Sequence, residues 1–213
     1  MKAIIATLAV SAASRGNQHG VYAYPYRAGT CAAGMAISGN GIHPAQSTGA
    51  LSTAGYQVTF LNSDMDEISF TDSVAKISPG EYKLGLKASD SSTPFRGFLF
   101  RMGPKEDKGD AEGFFTSSSD SSRILPVDSS GTGKNGPLST CNSKVAAFCH
   151  SNSEDKYEIT NTLKATVSGE FTLDVTVVRD ESMWYYNSYT VLVEGGDGGD
   201  GDEGDSDGGD GDE

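Results

Sequence analysis

Glu170-Phe171-Thr172-Leu173-Asp174-Val175-Thr176-Val177-Val178 alternates without a break. Phe171, Leu173, Val175 and Val177 share one face, and Thr172, Asp174 and Thr176 share the other. Successive side chains of a strand leave the backbone on opposite sides, so this period of two predicts a strand with one buried face. Working outward, Trp184 to Val193 reads WYYNSYTVLV and closes the apolar part of the chain. Upstream, Tyr157 to Thr166 alternates weakly through Tyr157, Ile159 and Leu163. Further back lie YQVTFL at Tyr56–Leu61 and YKLGLKA at Tyr82–Ala88, the second entered through the turn signal Ser78-Pro79-Gly80. Phe95 to Met102, FRGFLFRM, is more continuously apolar, as a central strand would be. Gly113–Thr116 and Ile124–Val127 are shorter candidates.

About eight short strands separated by Gly, Ser, Thr and Pro predict an all-β fold, a β-sandwich. Helical periodicity is absent; Ala32–Ile37 and Lys144–Phe148 have the composition for a turn or two of helix and no more. Pro104–Glu112 and Ser117–Ser122 are polar and predict exposed loops.

The ends differ from this body. Lys2 followed by the apolar run Ala3–Ala12 and the small residues Ser11–Ser14 reads as an export signal over residues 1–14. The plainer alternative is a buried N-terminal strand. No other stretch approaches the roughly 20 apolar residues a membrane-spanning helix needs. After Val193 only Glu, Gly, Asp and one Ser occur, and residues 194–213 carry ten acidic groups and no apolar side chain. Such a tail has nothing to offset the entropy lost on folding, which predicts disorder. Of the net charge of −13, ten units lie in the tail, leaving −3 for the rest. With no basic patch to neutralise phosphates, nucleic acid is excluded as a partner class.

Three cysteines, Cys31, Cys141 and Cys149, accompany the export signal. In an oxidising compartment they imply one bridge and one remaining thiol, and the residues alone permit three pairings. Cys31–Cys141 would close a loop of about 110 residues, worth roughly 4–5 kcal/mol in the chain-entropy account. Cys141–Cys149 would close a short local loop and do less. The remaining alternative is three buried thiols.

Specific residues then point to a family. Tyr24-Pro25-Tyr26 leads to Cys31, Met35 and His43; Pro79-Gly80-Glu81-Tyr82 follows the Tyr56–Phe60 strand. Phe95-Arg96-Gly97-Phe98-Leu99, Gly113-Phe114-Phe115, Cys141 with Cys149-His150-Ser151, and Trp184-Tyr185 come next in order. Together these resemble the reeler (reelin-type) domain over residues 23–193, with Phe95–Leu99 the most specific piece. The resemblance implies an immunoglobulin-like sandwich, secreted, with Cys31 bridged to Cys141. It also implies a module that binds, not an enzyme. Cys149 would then be a candidate free or intermolecular thiol.

Each candidate site has a structural alternative. His43 and His150 each follow a proposed bridge cysteine by about ten residues, so a bridge would bring them towards one polar spot. Two histidines without a third ligand are a weak metal site, and an imidazole bonded to loop backbone explains each as well. Cys149 and His150 are sequence neighbours, whose side chains diverge in a strand, against a thiolate–imidazole pair. No Gly-x-Ser-x-Gly elbow is present. Arg96 would sit with Phe98 on one face, opposite Phe95, Gly97 and Leu99, which suggests cation–π or aliphatic packing more than ligand binding. Gly97 signals a bulge or a close backbone approach. In the tail, Asp200, Asp202, Asp205 and Asp207 offer hard oxygen ligands for weak calcium binding without completing an EF-hand loop. No cofactor is expected. The functional expectation is recognition of an extracellular ligand, such as a polysaccharide, a microbial surface or a matrix protein. The rival is a mineral-associated protein whose acidic tail attracts calcium.

Overall fold

A computed structural model of the protein describes residues 47–105, 114–117, 122–124, 146–180 and 182–195. A short 3-10 turn at Leu51–Ala54 precedes ten strands. These are β1 (Tyr56–Leu61), β2 (Val74–Ile77), β3 (Gly80–Ala88), β4 (Gly97–Pro104) and β5 (Phe115–Ser117). Then follow β6 (Ser122–Ile124), β7 (Ala146–His150), β8 (Glu158–Ala165), β9 (Gly169–Val178) and β10 (Trp184–Val193). A four-stranded sheet has the order β1-β3-β8-β5, and a six-stranded sheet the order β2-β10-β9-β4-β7-β6. The fold is the expected all-β sandwich. Every ladder is antiparallel except β2 beside β10.

The inward face of β9 is realised as read, but Asp174 and Thr176 on the face expected to be open are also buried. Phe171, Leu173, Val175 and Val177 join the main core, with β4 on one side of the strand and β10 on the other. Facing them from the four-stranded sheet are Tyr56, Val58, Phe60, Leu84, Leu86, Ile159 and Leu163. Burying this much aromatic and branched surface, at roughly 25 cal/mol per Å², is the main term favouring the fold. One polar pair lies inside it: Ser122 of β6 donates its hydroxyl to Asn161 Oδ1 of β8 at 2.8 Å, tying the two sheets together.

Four local expectations change. Lys144–Phe148, read as a possible helical turn, is instead largely strand: Ala146–His150 is β7, buried at every position between β4 and β6. A short run buried on both faces, polar only at its last residue, His150, has no pattern to separate strand from helix. β2 escaped notice because Val74–Ile77 has four residues and its partner, β10, lies more than a hundred residues away. Of the stretch expected at Ile124–Val127, Ile124 ends β6, and 125–127 lie outside the described residues.

The fourth change concerns Phe95–Leu99. The regular strand begins only at Gly97; Phe95 forms an isolated bridge to Lys156 before it. The chain switches sheets there, so Phe95 does not share a face with Leu99. Its ring meets Phe98 at 6.0 Å in the main core, while Leu99 packs on the opposite side of the sheet with Ala147, Cys149, Val178 and Trp184.

Gly85, at the middle of β3, is required by its neighbours. A Cβ there would stand 2.3 Å from the carbonyl oxygen of Ile159 and 2.8 Å from Thr59 Oγ1. The first obstacle is backbone, so relief requires moving β8. Gly85→Ala is expected to cost about 1–3 kcal/mol or more through overpacking, read as a lower urea midpoint with an unchanged m-value. A midpoint within error of the parent would show that β3 and β8 separate easily.

Candidate functional site

Arg96 and His150 are brought to the same corner, but their side chains part. Arg96 Nε donates to Asp155 Oδ1 at 2.7 Å, at a rim where both side chains are a third or more exposed. Arg96 is therefore held by a carboxylate, a partner that the expectation of cation–π or aliphatic packing did not include. An ion pair this exposed contributes little to stability. His150 is fully buried, with Nδ1 3.2 Å from both the amide nitrogen and the carbonyl oxygen of Phe98. A Cβ on Gly97 would lie 3.2 Å from His150 Cε1 and 3.3 Å from Val178 Cβ. Gly97 is approached closely by side chains, this imidazole first, and not by backbone as expected. His150 serves backbone here, that of strand β4 and not of a loop.

Cys149 points to the other side of β7, buried with Leu99, Val178 and Trp184. The thiol and imidazole diverge as expected. Cys31, Cys141 and His43 lie outside the described residues, as do the export signal, Asp200, Asp202, Asp205, Asp207 and the tail beyond Gly195. Among the described residues no group of three or more His, Cys, Asp or Glu could hold a metal ion, and no helix is long and apolar enough to cross a membrane.

Two charged arrangements lay beyond the sequence reading. Lys156, 5% exposed, donates from Nζ to the carbonyl oxygens of Arg96, Asn152 and Glu154 at 3.1, 2.8 and 2.7 Å. Burial pushes its pKa down to about 8, partly offset by the carboxylates of Glu154 and Asp155. On the outward face of the six-stranded sheet, Arg101 of β4 and Asp174 of β9 stand directly opposite each other. Arg101 Nη1 donates to Asp174 Oδ2 at 2.7 Å, and the Tyr186 hydroxyl donates to Oδ1. Burial, then the hydrogen bond to Asp174, pushes the Tyr186 phenol up to about 12. Burial does the same to Tyr56, whose hydroxyl donates to the Pro94 carbonyl oxygen at 3.1 Å.

These shifts fix an alkaline profile. Between about pH 8 and 10.5 folded Lys156 has released its proton while the unfolded chain keeps it, so its contribution rises with pH. Tyr56 and Tyr186 act in the opposite sense. Their stabilisation is complete below their ordinary pKa of 10 and is lost as pH rises towards about 12. Stability is expected to hold or rise to about pH 10 and then fall steeply, with Lys156→Met flattening only the lower limb. Urea midpoints across this range, with phenolate absorbance followed in parallel, test it. A decline beginning below pH 9 would contradict the assignment.

One open hollow among the described residues lies on the four-stranded sheet. It sits where β1 begins and β3 ends, has a volume of about 570 Å³, and is lined by Ser52, Gln57, Lys87 and Ser89 over a floor of Tyr56 and Ala88. Gln57 and Lys87 are cross-strand partners, so the ladder itself fixes their spacing. All four polar side chains around the hollow are exposed. The group combines amide, ammonium and hydroxyl donors at the edge of the sheet.

The sequence model of the reeler domain matches residues 63–197, well over half of the chain. The chain belongs to the reeler domain family. The reeler domain of human F-spondin is 16% identical, covering 71% of this chain and 96% of its own, with a TM-score of 0.45. A second structure, the Reelin-N domain of F-spondin, is 15% identical, covering 70% of this chain and 94% of its own, with the same TM-score of 0.45. No curated protein matches. Reeler domains are found in extracellular proteins and are binding or structural domains. Within the reeler fold of this chain, Phe95–Leu99 supplies the corner at which the chain switches sheets and the seat of His150.

Proposed function

We propose that this reeler domain is a secreted, non-catalytic recognition module that binds an extracellular ligand through the hollow at the β1–β3 end. The observation that carries this reading is the group of exposed hydrogen-bonding side chains around the hollow, Gln57 and Lys87 paired on the β1–β3 ladder and Ser52 and Ser89 flanking it. A polysaccharide fits that chemistry. Its hydroxyls pair with amide and ammonium groups, and neither partner need bury an unpaired charge. Binding of the full chain to a panel of microbial and matrix polysaccharides tests this, alongside a Gln57→Ala/Lys87→Ala double variant. Both substitutions are on exposed side chains, so stability should stay within about 0.5 kcal/mol of the parent at each position. Binding to at least one polymer, lost in the double variant, is expected; no binding across the panel overturns the reading.

Secretion carries its own check. Intact mass of the exported chain is expected to show loss of the first residues and a gain of two hydrogens on reduction. An uncleaved chain that reduction leaves unchanged would remove the extracellular premise.

A further inference from the structure

The six-stranded sheet has a second buried face. Leu99, Ala147, Cys149, Val178 and Trp184 form a cluster of their own, 1–3% exposed, on the side of the sheet away from the main core. The register sets Cys149, Leu99, Thr176 and Tyr186 in one row across the sheet, with Val178 beside Trp184 in the next. Thr176 and Asp174 on the same face are buried too. The four-stranded sheet packs on the opposite side, so no described strand lies over this face. An indole projecting from a sheet keeps much of its large surface in water unless something lies across it. Neither Trp184 nor Cys149 is without a partner. Further along the strands the face opens, and Ser188 and Glu170 are exposed. The cover is therefore confined to the Trp184 end.

The path of the chain says which segment supplies it. Thr48 donates its amide to the Trp184 carbonyl at 2.7 Å, and Tyr186 donates its amide to the Gly49 carbonyl at 3.2 Å. Gly49 bridges Tyr185 in the parallel sense, so the chain before residue 47 enters from the end where the face is closed. Residues 106–113, 125–145 and 196–213 join the sheet at its other end, next to Lys105, Ala146 and Gly195. Residues 118–121 are Ser, Ser, Asp and Ser, with nothing apolar to offer. Residues 15–46, by contrast, hold Val21, Tyr22, Tyr24, Tyr26, Met35, Ile37 and Ile42 and no acidic residue. Such a stretch can lie on an apolar surface without burying a carboxylate. From β10 to β7 is three strand spacings, about 14 Å, which about five extended residues cross.

We propose that the outward face around Trp184, Leu99 and Cys149 is a docking surface for residues 15–46 of the same chain. The stretch begins after the expected export signal, so export leaves it attached. Its tyrosines and aliphatic side chains close the Trp184 end and keep a contiguous apolar patch from meeting other molecules. The β1–β3 hollow belongs to the other sheet and is independent of this contact.

Trp184 is the only tryptophan of the chain, so its fluorescence reads this face alone. In the full chain carrying Tyr22→Ser, Tyr24→Ser, Tyr26→Ser, Met35→Ser and Ile37→Ser together, Trp184 emission should move towards that of a solvated indole. Alkylation of Cys149 without denaturant, read by peptide mass, should become about tenfold faster or more, while urea unfolding stays cooperative. Emission and alkylation unchanged from the parent overturn the proposal. A second measurement leaves the segment intact: Tyr186→p-benzoylphenylalanine in the full chain, irradiated and mapped by peptide mass. Adducts within residues 15–42 are expected. Adducts confined to other stretches, or joining two chains, overturn the proposal, and this mapping decides it if the serine variant does not fold.

Discussion

Asp174→Ala is expected to lower the unfolding free energy by about 3–5 kcal/mol, because it strands the largely buried Arg101 guanidinium and the Tyr186 hydroxyl together. Asp174 sits in the third position from the edge of a six-stranded sheet, on a face where Thr176 and Val178 beside it are also buried. Water cannot readily replace the lost carboxylate there. At roughly 2–4 °C per kcal/mol for a chain of this size, the melting temperature should fall by about 6–20 °C. The mechanism separates from mere cavity formation through the double variant Arg101→Met/Asp174→Leu. Replacing both charges by apolar groups of similar volume should recover most of the loss. A single variant costing under about 1 kcal/mol would show that the pair is solvated and that its burial is of no consequence.

Phe98→Ala should cost a similar amount, about 3–5 kcal/mol, by a different route. Phe98 is fully buried, and its ring meets Phe95, Phe100, Phe148 and His150 edge-on at 6.0, 6.2, 6.0 and 6.0 Å. Truncation removes both its own transfer energy and the edge-to-face contacts of four neighbouring rings, and leaves a cavity between rigid strands. Phe98 also carries the amide and carbonyl that flank His150 Nδ1, so its displacement loosens the corner at Gly97. Phe98→Leu fills most of the volume and is expected to cost well under half as much. Urea unfolding of both variants checks this. Equal losses would locate the effect in backbone rearrangement and not in ring packing.

The physics behind both variants explains what the sequence disclosed. β9 was legible because its alternation of four apolar and three polar residues has one reading, with one face in the core. β3 was legible for the same reason, Tyr82, Leu84 and Leu86 opposing Lys83 and Lys87. β7 was not, since Ala146–His150 is buried throughout and its one polar residue, the terminal His150, marks no period. The corner at Phe95 was misread because alternation assumes an unbroken strand, and the chain changes sheets at Arg96–Gly97.

The site residues divide on similar grounds. Gly97 could be flagged from a glycine inside an apolar strand, but its cause, the His150 ring, lies some fifty residues away. Arg101 and Asp174 each appear in the sequence as a charge within an apolar or alternating run. Their pairing depends on the β4–β9 register, which no local pattern encodes. The β1–β3 hollow consists of ordinary surface residues, and only the ladder makes them a group. Family resemblance came from short ordered motifs, Phe95–Leu99 above all, and the reeler model matches residues 63–197.

The central claim is that the sandwich, and not the acidic tail, performs recognition. The most direct measurement compares three proteins on one polysaccharide panel: the full chain, the chain ending at Val193, and the full chain carrying Gln57→Ala/Lys87→Ala. The account predicts that the shortened chain binds as the full chain does and that the double variant does not. Binding that depends on calcium, disappears with residues 194–213 and survives the double variant would contradict it, and would transfer the function to the tail.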